Sequence, residues 1–199
     1  MTCTVLLIRH AAHGHLGKVL SGRLPGLALS EEGRDQARRL ARALASVPID
    51  ALHASPVQRA RETAEAIAGE HSGRAVEDVA ALDEIDFGSW AGRAFADLCG
   101  DPAWNTWNAR RASATAPGGE SMAAAQARAW AHVESATAAY PDGTVAMISH
   151  CDIIRALVAR VLGLSLDAIL RFDVDPASVT RLAVAVGETR LLSLNERYP

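Results

Sequence analysis

The sequence predicts an α/β protein: a three-layer α/β/α sandwich with a mostly parallel central sheet, an antiparallel edge strand, and an insertion over the face where ligands bind. Three observations carry that reading. Two uninterrupted apolar runs, Thr4–Ile8 and Thr144–Ile148, are short and rich in aliphatic residues, as strands buried on both faces are. Segments with apolar residues at helical spacing alternate with such runs, and this alternation implies a mostly parallel sheet with helices on both faces. The tail, Ser178 to Val186 and Thr189 to Leu194 about a Gly187-Glu188 turn, reads as two strands that would make the antiparallel edge.

The elements follow in order. The first strand ends in Arg9-His10, so both side chains leave the core at the carboxyl end of a strand, where ligands bind in open sheets. The loop Ala11 to Leu29 is rich in Gly, His and Pro; loops of this length in a compact domain are usually functional, and this one would line a crevice beside His10. Ser30-Glu31-Glu32-Gly33 opens a helix with a cap and two acids in its first turn. Ala37, Leu40, Ala41 and Leu44 form its buried stripe, and Arg34, Arg38, Arg39 and Arg42 its solvated face. A strand at about 49 to 54 leads into Ser55-Pro56, an N-cap and first-position pair for a helix from about 56 to 70. Arg59 then falls near the positive end of the helix dipole, where a cation is better placed for an anion than for stability. Residues 73 to 120 break the rhythm and read as the insertion, with Trp104 and Trp107 neighbours on a short helix. A helix from about 121 to 139, the strand ending in Ser149-His150 and a helix from about 152 to 162 complete the core.

Length and composition set bounds. The chain has 199 residues, 49% hydrophobic, 22% charged and 5% aromatic, enough for one domain spanning 1–199 with a cap-like insertion at about 73–120. Its net charge of −3 includes 20 basic residues, of which only Lys18 is lysine. Such a field does not attract nucleic acid, and an anionic ligand needs locally concentrated arginines. The N-terminal run is too short for a membrane span and has no basic segment before it, so a cytoplasmic protein without a membrane partner is expected. Nothing in the sequence bears on oligomeric state. Cys3, Cys99 and Cys151 are odd in number and lack a Cys-x-x-Cys pair, which favours structural thiols; Cys151, directly after His150, leaves a reactive thiol open.

Five motifs now resemble one family. Arg9-His10-Ala11 is similar to the Arg-His-Gly signature of the histidine phosphatase superfamily, the phosphoglycerate mutase-like proteins, and Ser149-His150-Cys151 to its Ser-His-Gly element. Ser55-Pro56-x-x-Arg59-Ala60-x-x-Thr63-Ala64 resembles its Ser-Pro block. Leu82 to Gly92 resembles its acidic segment, and Pro117-Gly118-Gly119-Glu120-Ser121 its Pro-Gly-Gly-Glu-Ser loop. The five occur in the family's order. Departures are Ala11 and Cys151, where the family has glycine, and His13 and Leu16, where the mutases present a hydroxyl residue and an asparagine.

The resemblance implies that His10 becomes phosphorylated, that Arg9, Arg59 and His150 hold the phosphoryl group, and that Glu84 protonates the leaving group. Each role suits the residue type. A neutral imidazole on a rigid strand end can attack phosphorus, fixed cations beside it disfavour its protonation, and guanidinium groups bind phosphoryl oxygens bidentately. Ser21, Gly22 and His13, on the loop after the first strand, are the further substrate-binding candidates. The expected activity is metal-independent hydrolysis of a small phosphorylated metabolite, with no cofactor. A phosphoglycerate mutase and a non-catalytic phospho-ligand binding protein are the alternatives. The spacing His10-x-x-His13-x-His15 also raises a zinc site, which the adjoining Arg9 and the lack of a nearby carboxylate oppose.

Overall fold

The computed structural model describes residues 1–198. Its elements are β1 (Cys3–Arg9), α1 (Glu31–Leu44), β2 (Ala51–Ala54), α2 (Gln58–Glu70), β3 (Val76–Asp78), α3 (Phe95–Leu98), α4 (Pro102–Ala109), α5 (Met122–Ala139), β4 (Thr144–Ser149), α6 (Cys151–Val161), β5 (Val179–Ala185) and β6 (Glu188–Glu196). The sheet runs β3-β2-β4-β1-β5-β6. Its first four strands are parallel, β5 is antiparallel to β1, and β6 is antiparallel to β5. The α/β sandwich with an antiparallel edge is therefore the observed architecture.

The central strand explains the layering. Successive side chains of a strand point to opposite faces, so Leu6 and Ile8 join Leu40, Leu44 and Ile67 from α1 and α2 on one side. Val5 and Leu7 join Trp130, Val133, Ile154 and Leu157 from α5 and α6 on the other. Both faces are apolar, which is why the run reads as continuous rather than alternating. Parallel pairing of β1 with β4 places Arg9 beside Ser149, so the two histidines that follow emerge side by side. Among the described residues no helix is long and apolar enough to cross a membrane.

Two local expectations are corrected. Ser55 does not hold the cap position of α2: the helix begins at Gln58 and Val57 holds that position without a side-chain bond, while the Ser55 hydroxyl accepts the Val57 N–H at 3.2 Å just before the helix and has further partners elsewhere. The start of the 73–120 segment is not insertion, because Val76–Asp78 adds a parallel edge strand to β2. It is only three residues long with two exposed side chains, too short and polar for a periodicity signal.

Residues 79–120 then fold over the sheet's carboxyl end through two 3₁₀ turns and the short helices α3 and α4. Trp90 and Trp107 are buried there with ring centroids 6.1 Å apart, and truncating such side chains costs about 3–5 kcal/mol each. The Pro117–Ser121 loop lies directly against the acidic segment. A Cβ on Gly119 would sit 2.1 Å from the Asp86 carbonyl oxygen, and one on Gly88, at φ +52°, 2.2 Å from that of Pro117. Only glycine permits that approach.

Candidate active site

His10 follows β1 and His150 follows β4; the backbone N–H of His10 donates to the Ser149 carbonyl (2.9 Å) and the rings stand 5.1 Å apart. Nδ1 of His10 lies 2.8 Å from the Ala11 carbonyl oxygen. A carbonyl can only accept, so Nδ1 carries the proton and Nε2 presents its lone pair. That lone pair faces Nε of Arg59 at 3.1 Å. Burial first, then the charges of Arg59 and Arg9, hold the imidazole well below its ordinary pKa, so it is neutral at pH 7. Ala11 itself keeps a negative φ and its N–H is satisfied by Thr63 Oγ1, so the methyl that replaces the family's glycine introduces no backbone strain.

Arg59 is 2% exposed. Its Nη2 donates to the Gly22 carbonyl at 2.7 Å and to His150 Nδ1 at 3.0 Å. Because His150 accepts there, its proton is on Nε2 and is donated to Ser55 Oγ at 3.0 Å; Ser55 in turn donates to Asp83 Oδ1 at 2.6 Å. The hydroxyl expected to cap α2 is thus the link between His150 and the acidic segment. Nη1 of Arg59 and Nε of Arg9 are buried with no hydrogen-bond partner among the described residues, while Arg9 Nη1 donates to the Val174 carbonyl at 2.6 Å. Unpaired buried guanidinium donors are costly; on two arginines that line one cavity, they are what an oxyanion would satisfy.

Arg9, His10, Arg59 and Glu84 line a cavity of about 400 Å³. Glu84 is pushed up to about 7, chiefly by burial and then by the Asp152 charge, against the Ile85 N–H, Arg59 and Arg9. Its backbone is clamped: the Glu84 carbonyl accepts from Arg23 Nε (2.7 Å) and Arg128 Nη2 (3.1 Å). Glu120 Oε1 binds both guanidiniums at 2.7 Å and accepts the Asp86 N–H at 3.0 Å. Sequence reasoning placed none of Arg23, Arg128 and Glu120 in the site. The signal was present in the glycine pair before Glu120, which marks a close backbone approach.

His13 and Ser21 lie on the cavity wall. The His13 ring is 5.3 Å from that of His10, and burial brings it down to about 4. Ser21 donates to the Val19 carbonyl at 3.3 Å. Gly22 also borders the cavity, but its carbonyl is engaged by Arg59. His150 is fully buried behind Arg59 with both ring nitrogens bonded, so it holds the arginine and presents no free N–H. His10, His13 and His15 do not converge: His10 directs both nitrogens elsewhere, and the His13 and His15 rings are 6.4 Å apart. Cys151 is pushed up to about 11 by burial, which keeps it a thiol and closes the reactive-thiol option.

Comparison with known proteins agrees with this geometry. Phosphoserine phosphatase 1 of Hydrogenobacter thermophilus is 29% identical over 196 residues, covering 96% of this chain and 91% of that one. The adenosylcobalamin/alpha-ribazole phosphatase of Salmonella typhimurium is 27% identical, covering 96% and 95%. The solved mycobacterial glucosyl-3-phosphoglycerate phosphatase superposes with a TM-score of 0.87 at 27% identity, covering 98% and 99%. The model of the histidine phosphatase superfamily (branch 1) matches residues 5–197, and the chain belongs to that family.

Proposed function

We propose that the protein hydrolyses a small phosphomonoester without a metal ion, through a phosphohistidine on His10 and with Glu84 as general acid. The observation that carries this reading is the locked tautomer of His10: a neutral imidazole whose only free lone pair, on Nε2, lies beside the buried guanidinium of Arg59. Nε2 attacks phosphorus while the ester oxygen departs with the proton of Glu84. To free that lone pair, the Arg59 Nε–H first turns from the imidazole to a phosphoryl oxygen as substrate binds, and the unpaired donors of Arg9 and Arg59 take up the remaining charge. Water attacks the phosphohistidine, Glu84 accepts its proton, and inorganic phosphate leaves. A pKa of about 7 suits an acid that must reverse its role. His150 positions Arg59 in this scheme, and Ser21 and His13 contact the alcohol portion. The phosphatase relatives support the overall reaction.

Mixing enzyme with substrate and quenching in alkali should trap one base-stable, acid-labile phosphoryl group per chain, and His10→Ala should abolish it. Turnover without any trapped phosphohistidine would mean direct attack by water. Activity should persist in chelator, since the guanidiniums supply the positive charge. Loss restored by zinc or magnesium would refute the metal-independent scheme.

A further inference from the structure

Beside the residues assigned to the phosphoryl group, the cavity lining carries a charge arrangement that none of the motifs explains. Asp152, the second residue of α6, lines the cavity. Its Oδ2 accepts from Arg111 Nη1 at 2.9 Å, with the two side chains only 17% and 7% exposed. Its Oδ1 lies 3.8 Å from Nη1 of Arg155. Arg155 is further engaged by the Phe172 carbonyl (3.1 Å) and by Asp173 (3.3 Å). Arg111 donates to Asn108 Oδ1 at 2.8 Å and lies over the Trp107 ring. Two cations are therefore matched by two carboxylates, and His13 is neutral. Among the described lining residues, the cations left uncompensated are Arg9 and Arg59, at the phosphate end. The large apolar side chains of the lining are Leu16, Val19, Leu20, Phe87 and Phe95.

We infer that Asp152 is a specificity-determining residue, and that the enzyme selects phosphomonoesters whose alcohol portion carries no carboxylate. This rests on the hydrolase reading above. A substrate carboxylate reaching this lining would give up its hydration against aliphatic and aromatic side chains. It would meet Arg155 already neutralised and would face the Asp152 carboxylate itself, which Arg111 holds in place. An uncharged alcohol portion has the opposite balance: it buries apolar surface and leaves the ion pairs intact. Discrimination therefore comes from a repulsive element built against the wrong ligand.

A matched pair of esters tests it: glycerol 3-phosphate and 3-phosphoglycerate, which differ in replacing a hydroxymethyl group by a carboxylate. The wild type should favour glycerol 3-phosphate by at least about tenfold in kcat/KM, the effect expected of one unfavourable charge contact of about 1.4 kcal/mol. Asp152→Asn keeps an oxygen for Arg111 while removing the charge, and should cut that preference by about tenfold; Asp152→Glu should retain it. Any change that Asp152→Asn makes to Glu84 acts on both esters alike, so the ratio isolates specificity. Leu16→Arg, at a partly exposed position, adds a cation to the same lining without touching the ion pair and should also lower the preference. Equal or better hydrolysis of 3-phosphoglycerate by the wild type, or equal slowing of both esters by Asp152→Asn, would overturn the inference while leaving the hydrolase reading intact. Failure to release phosphate from either ester and from nitrophenyl phosphate would overturn both.

Discussion

Two histidine pairs stand against the same sheet, and their contrast bears on the reactivity proposed for His10. His10 and His150 stand 5.1 Å apart and His53 and His132 5.0 Å apart, and burial lowers the pKa of all four. Ring spacing therefore does not distinguish them, although His132 is only partly buried whereas His10, His150 and His53 are buried. His53 lies within β2, with Nδ1 3.0 Å from His132 Nε2 on α5 and Nε2 3.5 Å from Glu77 on the neighbouring strand β3, so one nitrogen ties the sheet to α5 and the other faces a carboxylate at the sheet edge. His10 lies past the end of its strand, with one nitrogen fixed by a carbonyl and the other left to a guanidinium at a cavity. Position relative to the strand end, and cations rather than a carboxylate as neighbours, separate chemistry from packing.

The largest expected effect is at the first pair: His10→Ala should cost on the order of 10⁵ or more in kcat, the scale of removing a covalent nucleophile, measured as steady-state phosphate release. Arg59→Ala should cost on the order of 10³, since it removes transition-state charge stabilisation; an unchanged rate would place Arg59 with the packing residues instead. Glu84→Gln should slow alkyl esters by about 10² and leave nitrophenyl phosphate nearly unaffected, because a good leaving group needs no proton. For alkyl esters kcat/KM should fall as pH rises through about 7, where Glu84 loses its proton. At the second pair, His53→Phe should change kcat less than about threefold; a loss comparable with that of His10→Ala would dissolve the contrast.

The smallest effect is shared by both pairs and read as thermal stability against pH. All four histidines and His13 are neutral when folded, whereas unfolded histidine binds a proton below about 6.5. The unfolded state therefore binds more protons as pH falls, and Tm should drop between about pH 6.5 and 4. Glu84 acts in the opposite sense, because the folded carboxyl keeps a proton up to about 7 that the unfolded chain releases near 4.5. One carboxyl against five imidazoles leaves the acid-side loss dominant. A Tm that rises on acidification over this window would contradict the neutral assignments.

Much of this was legible in the sequence where strand and motif coincide. The apolar runs that end in His10 and His150 announce both the parallel sheet and the residues it delivers, and Arg59 was betrayed by its unfavourable place near a helix start. The rest depends on contacts between distant segments that periodicity does not encode. Ser55 has the local chemistry of a cap, but the competing partners Asp83 and His150 arrive from elsewhere in the chain. The Glu120 clamp on Glu84 needs Arg23 and Arg128, which look like ordinary surface arginines. His150 reads as a ligand from its motif, yet its hydrogen bonds make it the support of Arg59.

The pairing of β1 also has a kinetic consequence. Within the sheet the strand that carries His10 comes before its partners in sequence: its neighbours are β4, where Thr4 meets Thr144, and β5, where Cys3 meets Val184. Loop closure over such separations is slow, and folding rates fall as contacting residues become more distant in sequence. The nascent chain must hold this apolar strand unpaired until β4 and β5 have been synthesised. Helices α1 and α2, close in sequence and packed on each other, can shield one face of it meanwhile. During refolding, catalytic activity should therefore return later than helical circular dichroism, because the site exists only once the last central strands have closed around the first.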